Sequence, residues 1–160
     1  MKHYQYLIVG GGMTADAAID GIREIDPDGR IALISAEKVP PYDRPPLTKD
    51  LWKGGEVEQI WRHTNDKAVD IYLSHRIKQI DPDKKTAMDD HGQEFEYAKL
   101  LLATGGTPRE LPFGDGRILY YSSYAHYEKL RHLVEPEGDR FAGSGGGLIG
   151  SQLAAARPVS

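Results

Sequence analysis

The chain has 160 residues, of which 39% are hydrophobic and 18 are glycine, with no cysteine and a formal net charge of −4. This length supports one domain with a sizeable core, and the glycine excess suits an α/β protein rich in tight turns. Basic and acidic residues are interleaved, which argues against the basic stripe of a nucleic-acid binder, and the lack of cysteine excludes disulfides, thiolate metal sites and a redox dithiol within the chain.

Residues 1–5 lack the charged and apolar regions of a signal peptide and lead straight into a strand. No apolar run approaches the roughly 20 residues of a membrane span. The lack of cysteine is compatible with the cytoplasm, which is the expected location. Residues 4–9 form a compact apolar run, read as a buried strand. Ala15, Ala17, Ala18, Ile19, Ile22 and Ile25 follow at helical spacing, and Pro27-Asp28-Gly29 ends that helix. Residues 31–34 are a second buried strand, which completes a βαβ unit with parallel strands. The segment 39–46 is too proline-rich for a helix or a central strand. Residues 47–53 can form a short helix ending at Gly54-Gly55, and 69–73 a short strand.

Residues 76–80, 84–88 and 94–97 read as the strands of a β-meander, separated by the turn sequences Asp81-Pro82-Asp83 and Asp89-Asp90-His91-Gly92. Residues 100–103 are a buried strand running into Thr104-Gly105-Gly106. Glycine and proline cluster at 112–116, which predicts a boundary between a unit at 1–115 and another at 116–160. Tyr124, Tyr127, Leu130, Leu133 and Val134 predict an amphipathic helix. A second glycine run, Gly145 to Gly150, repeats the spacing of the first.

The first run, Gly10-Gly11-Gly12-Met13-Thr14-Ala15, lies between an apolar strand and an alanine-rich helix. A dinucleotide's two phosphates must lie against backbone N–H groups. Gly10 permits the tight turn, Gly12 removes a Cβ that would block the phosphate, and Ala15 lets helix and strand pack closely. Ala36 and Glu37 stand at the end of the second strand, where an acidic group holds ribose hydroxyls. The prolines of Pro41-Tyr42-Asp43-Arg44-Pro45-Pro46-Leu47-Thr48-Lys49 hold the backbone extended and set where Arg44 and Lys49 point. On residue chemistry alone, that segment also fits a rigid surface loop with solvated charges.

Taken together these motifs resemble the FAD-dependent pyridine-nucleotide oxidoreductases, in particular the ferredoxin-reductase-like and apoptosis-inducing-factor-like branch. That branch carries G-x-G-x-x-A/G, then P-Y-x-R-P-P-L-S-K, then A-T-G-G-x-P-R, then G-G-G-x-I-G. The corresponding residues here are Gly10 to Ala15, Pro41 to Lys49 with Thr48 for serine, Ala103 to Arg109, and Gly145 to Gly150. The resemblance implies a Rossmann-like α/β FAD-binding fold with a parallel sheet and an embedded antiparallel β-meander, followed by a truncated second nucleotide-binding unit. It also implies that Arg44 and Lys49 contact FAD, that Ile77 touches the adenine through its backbone, and that Thr104 and Gly105 pass close to the cofactor. NAD(P)H would be the electron donor, and a ferredoxin-like protein, a quinone or oxygen the acceptor.

The sequence departs from that pattern in places. Ala36 replaces a common acidic residue, with Glu37 beside it. Ser122 stands where relatives often have arginine, and Gln152 where they have a glutamate that can pair with the lysine near the flavin. Gly143 and Ser144 weaken the strand before the second glycine run, and Pro158 breaks the helix after it. The family's later Gly-Asp segment, which holds the flavin side of the cofactor, is absent. A chain that binds the dinucleotide without catalysis is therefore the second reading, and an NAD-binding dehydrogenase the third. No catalytic residue is assigned. His3, His63, His75, His91, His126 and His132 are scattered, so no metal site is expected. Asp89-Asp90 is read as a turn, and Trp52 and Trp61 as packing residues.

Overall fold

The computed structural model describes residues 2–113, 118–134, 145 and 147–156. It comprises two compact units, one of Met1–Tyr42 with Trp61–Gly105 and one of Asp43–Ile60 with Gly106–Ser160. The boundary expected at 112–116 thus falls inside the second unit, which also takes the proline segment from Asp43 onward. The strand expected just before the second glycine run, and Pro158, lie outside the described residues.

The first unit is built on one six-stranded sheet in the order β3-β2-β1-β6-β5-β4. Its strands are β1 (Lys2–Val9), β2 (Ile31–Ser35), β3 (Val69–Leu73), β4 (Ile77–Asp81), β5 (Thr86–Asp89) and β6 (Glu94–Leu102). Helix α1 (Met13–Ile25) links β1 to β2. β1, β2, β3 and β6 are mutually parallel, whereas β4, β5 and the start of β6 pair antiparallel. The parallel sheet with an embedded meander is therefore as expected from the sequence.

One difference concerns β6. Residues 94–97 and 100–103 read as two strands in sequence but form one. Phe95 pairs with Lys2 and Leu102 with Val9, while Glu94 to Glu96 also pair with β5. Ala98 and Lys99 interrupt the apolar run without offering a turn, so the backbone continues straight through them.

The central strands are apolar on both faces because both faces are covered. Leu7 and Val9 of β1, with Ala32 and Ile34 of β2, pack on Tyr4, Ala87, Phe95 and Tyr97. Ile8, Ile31 and Leu33 point the other way, onto Ala15 and Ile19 of α1. Alternation with period two thus sorts residues 7–9 of β1 and 31–34 of β2 into two cores.

Asp16 is fully buried on the inner side of α1. It accepts hydrogen bonds from Arg62 Nε at 2.6 Å, Thr64 Oγ1 at 2.5 Å and Lys67 Nζ at 2.9 Å. Burial alone would raise this carboxyl; the bonds from Thr64, Lys67 and Arg62 outweigh it and hold it below the ordinary carboxylate range. A depressed folded-state pKa adds stability above the unfolded-state value, and that stability is lost as pH falls through the folded-state value. Thermal stability is therefore expected to drop on acidification below about pH 4. Asp16→Asn should cost about 2 kcal/mol at neutral pH, since both cations remain partly solvated, and should flatten the acid limb. Melting curves of both proteins from neutral pH downward check this; parallel curves would show that the network contributes nothing.

In the second unit, short 3₁₀ turns at Pro45–Thr48, Asp50–Trp52 and Val57–Ile60 precede α2 (Tyr124–Val134) and α3 (Leu148–Ala156). The short α-helix expected at 47–53 is replaced by two such turns. Pro45 and Pro46 start the first of them, where a fixed φ is helical and a missing N–H costs nothing. Trp52 Nε1 donates to the Leu47 carbonyl at 2.8 Å, and the Trp52 ring packs edge-on against Tyr127 at 5.5 Å. Tyr121 donates to the same carbonyl at 2.5 Å, and burial pushes its hydroxyl up to about 12. Trp52 is a packing residue, as read from the sequence.

Candidate functional site

The residues named from sequence lie on both units. The first carries Gly10 to Ala15, Ala36, Glu37, Ile77, Thr104 and Gly105; the second carries Arg44 and Lys49.

On the first unit, the carboxyl ends of β1, β2 and β6 meet at the glycine loop. Gly10 N donates to the Ile34 carbonyl and Ala103 N to the Val9 carbonyl, each at 2.8 Å. Gly10 has φ +127°, and a Cβ there would lie 2.0 Å from the Ala103 carbonyl oxygen. A Cβ on Gly11 would lie 2.2 Å from Ser35 Oγ. Both glycines are therefore demanded by neighbouring protein. Gly12 differs. Its φ of −96° suits any residue, and a Cβ there would meet no atom of the described residues within 4 Å. Among the described residues, no packing contact accounts for glycine at this position.

Gly12 is also the N-cap of α1 and provides no side-chain cap. The first N–H groups of a helix have no intrahelical acceptor and lie at the positive end of the helix dipole. Together these features fit a diphosphate: free donors, a favourable field and room for close approach. Met13 and Thr14, in the first turn, are exposed, and Ala15 is fully buried against the sheet.

At the end of β2, Ala36 is exposed and Glu37 half-buried. Tyr42 donates its hydroxyl to Glu37 Oε2 at 2.8 Å, which fixes the carboxylate. Ser74 N donates to the Glu37 carbonyl and His75 N to the Ser35 carbonyl, both at 2.9 Å. These bonds draw the β3–β4 link alongside β2, with Ile77 two residues on at the start of β4. Thr104 and Gly105, both exposed, follow β6, and Gly105 adopts φ +66°. The structure thus collects the candidates of the first unit around one end of the parallel strands, where α/β sheets bind ligands; Arg44 and Lys49 belong to the second unit.

On the second unit, Arg44 Nη1 donates to the Ser122 carbonyl at 2.5 Å, and Lys49 is exposed. Gln152 accepts from Thr48 Oγ1 at 2.9 Å, so the amide that replaces the family's glutamate engages the hydroxyl beside Lys49. Gly145 has φ +134° and Gly147 directly precedes α3. A Cβ on Gly150 would lie 2.0 Å from the Gly145 carbonyl oxygen. This explains glycine in place of the first loop's alanine.

The pyridine nucleotide-disulphide oxidoreductase model matches residues 4–157. The chain belongs to that family. Family members use FAD and NAD(P)H. Two curated relatives are apoptosis-inducing factor 1, mitochondrial, of Dictyostelium discoideum and the 5,5'-dehydrodivanillate O-demethylase ferredoxin reductase subunit of a Sphingobium strain. The first is 33% identical across 98% of this chain and 34% of its own length, the second 35% identical across 97% and 39%. Among solved structures, the covalent putidaredoxin reductase–putidaredoxin complex superposes with a TM-score of 0.82 at 26% identity, covering 98% of this chain and 40% of that one. The chain thus spans well under half the length of these members of the pyridine nucleotide-disulphide oxidoreductase family. Among the described residues, no helix is long and apolar enough to cross a membrane.

Sequence reading missed the Asp16 network, although an acidic residue directly after Ala15, on the face that meets the sheet, was the available signal. It also missed a convergence of His75, Asp89 and His91. Histidines scattered in sequence gave no hint of it, because a strand link and a hairpin turn bring them together.

Proposed function

We propose that this chain seats FAD through its glycine loop, as part of an NAD(P)H-dependent oxidoreductase that passes electrons to a ferredoxin-like acceptor. The observation that carries the reading is Gly12, where an added Cβ would meet no atom of the described residues within 4 Å. The N–H groups opening α1 would take the diphosphate, Glu37 the adenosine ribose, and the backbone near Ile77 the adenine. Thr104 and Gly105 would follow the cofactor from the end of β6. When bound, FAD would supply the hydride and single-electron chemistry, and the chain's residues its orientation. The ferredoxin-like acceptor is supported by the relative named as a ferredoxin reductase subunit and by the reductase–putidaredoxin complex. A cytoplasmic location is compatible with the cysteine-free sequence.

In a second reading the chain binds the dinucleotide without turning over NAD(P)H. Titrating purified protein with FAD should quench flavin fluorescence saturably at one equivalent, with ADP-ribose competing. Adding NADH or NADPH then separates the readings, since bleaching of the flavin band marks turnover and an unchanged band marks binding alone. Affinity for NAD with none for FAD would establish a dehydrogenase-type loop instead.

A further inference from the structure

We infer that His75, Asp89 and His91 form a binding site for a borderline divalent transition metal, of which Zn²⁺ is the type. One ligand atom from each lies within 4.8 Å of the others. His75 is in the β3–β4 link, Asp89 ends β5, and His91 is in the turn toward β6.

The donors are held in place before any ion arrives. Asp89 is buried, and its Oδ1 accepts the N–H of His91 at 2.9 Å and of Gln93 at 2.8 Å. Those bonds fix the turn and leave Oδ2 directed at His75 Nδ1, 2.5 Å away. The His75 and His91 rings stand 4.3 Å apart, and Tyr72 packs edge-on against His75 at 5.6 Å. Asp90 Oδ1 lies 3.1 Å from His91 Nδ1, the outer carboxylate that commonly fixes a ligating imidazole, and leaves Nε2 to coordinate. Asp90 also bridges to Arg76, accepting its N–H at 2.9 Å, so the link and the turn are tied on both sides of the cluster.

Two imidazoles and a carboxylate select zinc-like ions over Mg²⁺ and Ca²⁺, which prefer all-oxygen sites. Ligand atoms on tetrahedral Zn²⁺ are about 3.4 Å apart for bonds of about 2.1 Å. The ion would take the place of the proton shared by His75 and Asp89, whose atoms need part by only about 1 Å. His91 is largely exposed, which gives the ion an entry path and leaves a coordination position to water. Bound there, the metal would staple the β3–β4 link to the meander.

The test uses tag-free protein. Calorimetry with Zn²⁺ should show one equivalent bound, Co²⁺ should give a visible d–d band, and Zn²⁺ should raise the melting temperature while Mg²⁺ does not. His91→Ala, at an exposed turn position that the fold tolerates, should weaken Zn²⁺ affinity by more than about tenfold and remove the melting shift. His3→Ala, at a histidine elsewhere on the sheet, should change neither. Absence of Zn²⁺ binding, or equal affinity in the parent and His91→Ala, would overturn the site. Because the readouts are metal binding and melting, they are independent of FAD.

Discussion

Gly12→Val is expected to abolish detectable FAD binding and leave the protein folded. A branched side chain at the N-cap of α1 would occupy the space that a diphosphate needs to reach the first N–H groups. The expected loss of affinity is at least about a hundredfold, or roughly 2.7 kcal/mol. Stability should fall by less than about 1 kcal/mol, because the backbone angles suit valine, no atom of the described residues stands within 4 Å of the added Cβ, and only a modest capping preference is lost. A fluorescence titration beside a melting curve reads both quantities. Unchanged FAD affinity in a folded variant would show that this loop is not the site.

Two residues earlier, the expectation reverses. Gly10→Ala adds a single methyl group, yet that carbon would lie 2.0 Å from the Ala103 carbonyl oxygen, on a residue whose φ of +127° disfavours any side chain. Backbone strain and overpacking against main chain each cost about 1–3 kcal/mol. The sum, on the order of 4 kcal/mol, is a large share of a small domain's stability. Chemical denaturation should show the midpoint falling sharply at unchanged slope. A midpoint matching the parent's would mean that the end of β6 can move aside, and that the two glycines differ less than their surroundings imply.

That contrast marks how far the sequence could be read. The spacing Gly10-x-Gly12-x-x-Ala15 identifies a loop between strand and helix, because strand and helix periodicities flank it. The different reasons for the two glycines are invisible there, since one depends on Ala103, far along the chain, and the other on open space. The βαβ unit and the meander were legible because their apolar residues alternate or recur regularly and Asp-Pro-Asp and Asp-His-Gly supply turns. β6 was not, because its continuity depends on pairing with β1 rather than on its own residues. Asp16 escaped notice because its partners, Arg62, Thr64 and Lys67, come from a 3₁₀ turn and the chain before it. The grouping of 43–60 with the C-terminal part has no local signature, since it depends on distant contacts such as Trp52 with Tyr127 and the Leu47 carbonyl with Tyr121.

The placement of β1 between β2 and β6 also sets an order of events during folding. β2 is a near neighbour in sequence, so β1, α1 and β2 can associate early at a small entropic cost. Pairing with β6 joins Tyr4 to Tyr97 and Leu7 to Leu100, and must wait until nearly the whole first unit has emerged. Such distant contacts are slow to form. Gly10 acquires its carbonyl neighbour, Ala103, only at that last step. The glycine loop therefore precedes most of the first unit in the chain yet is among the last segments to reach its final geometry, so recovery of the FAD binding proposed for it should lag behind recovery of helical signal during refolding.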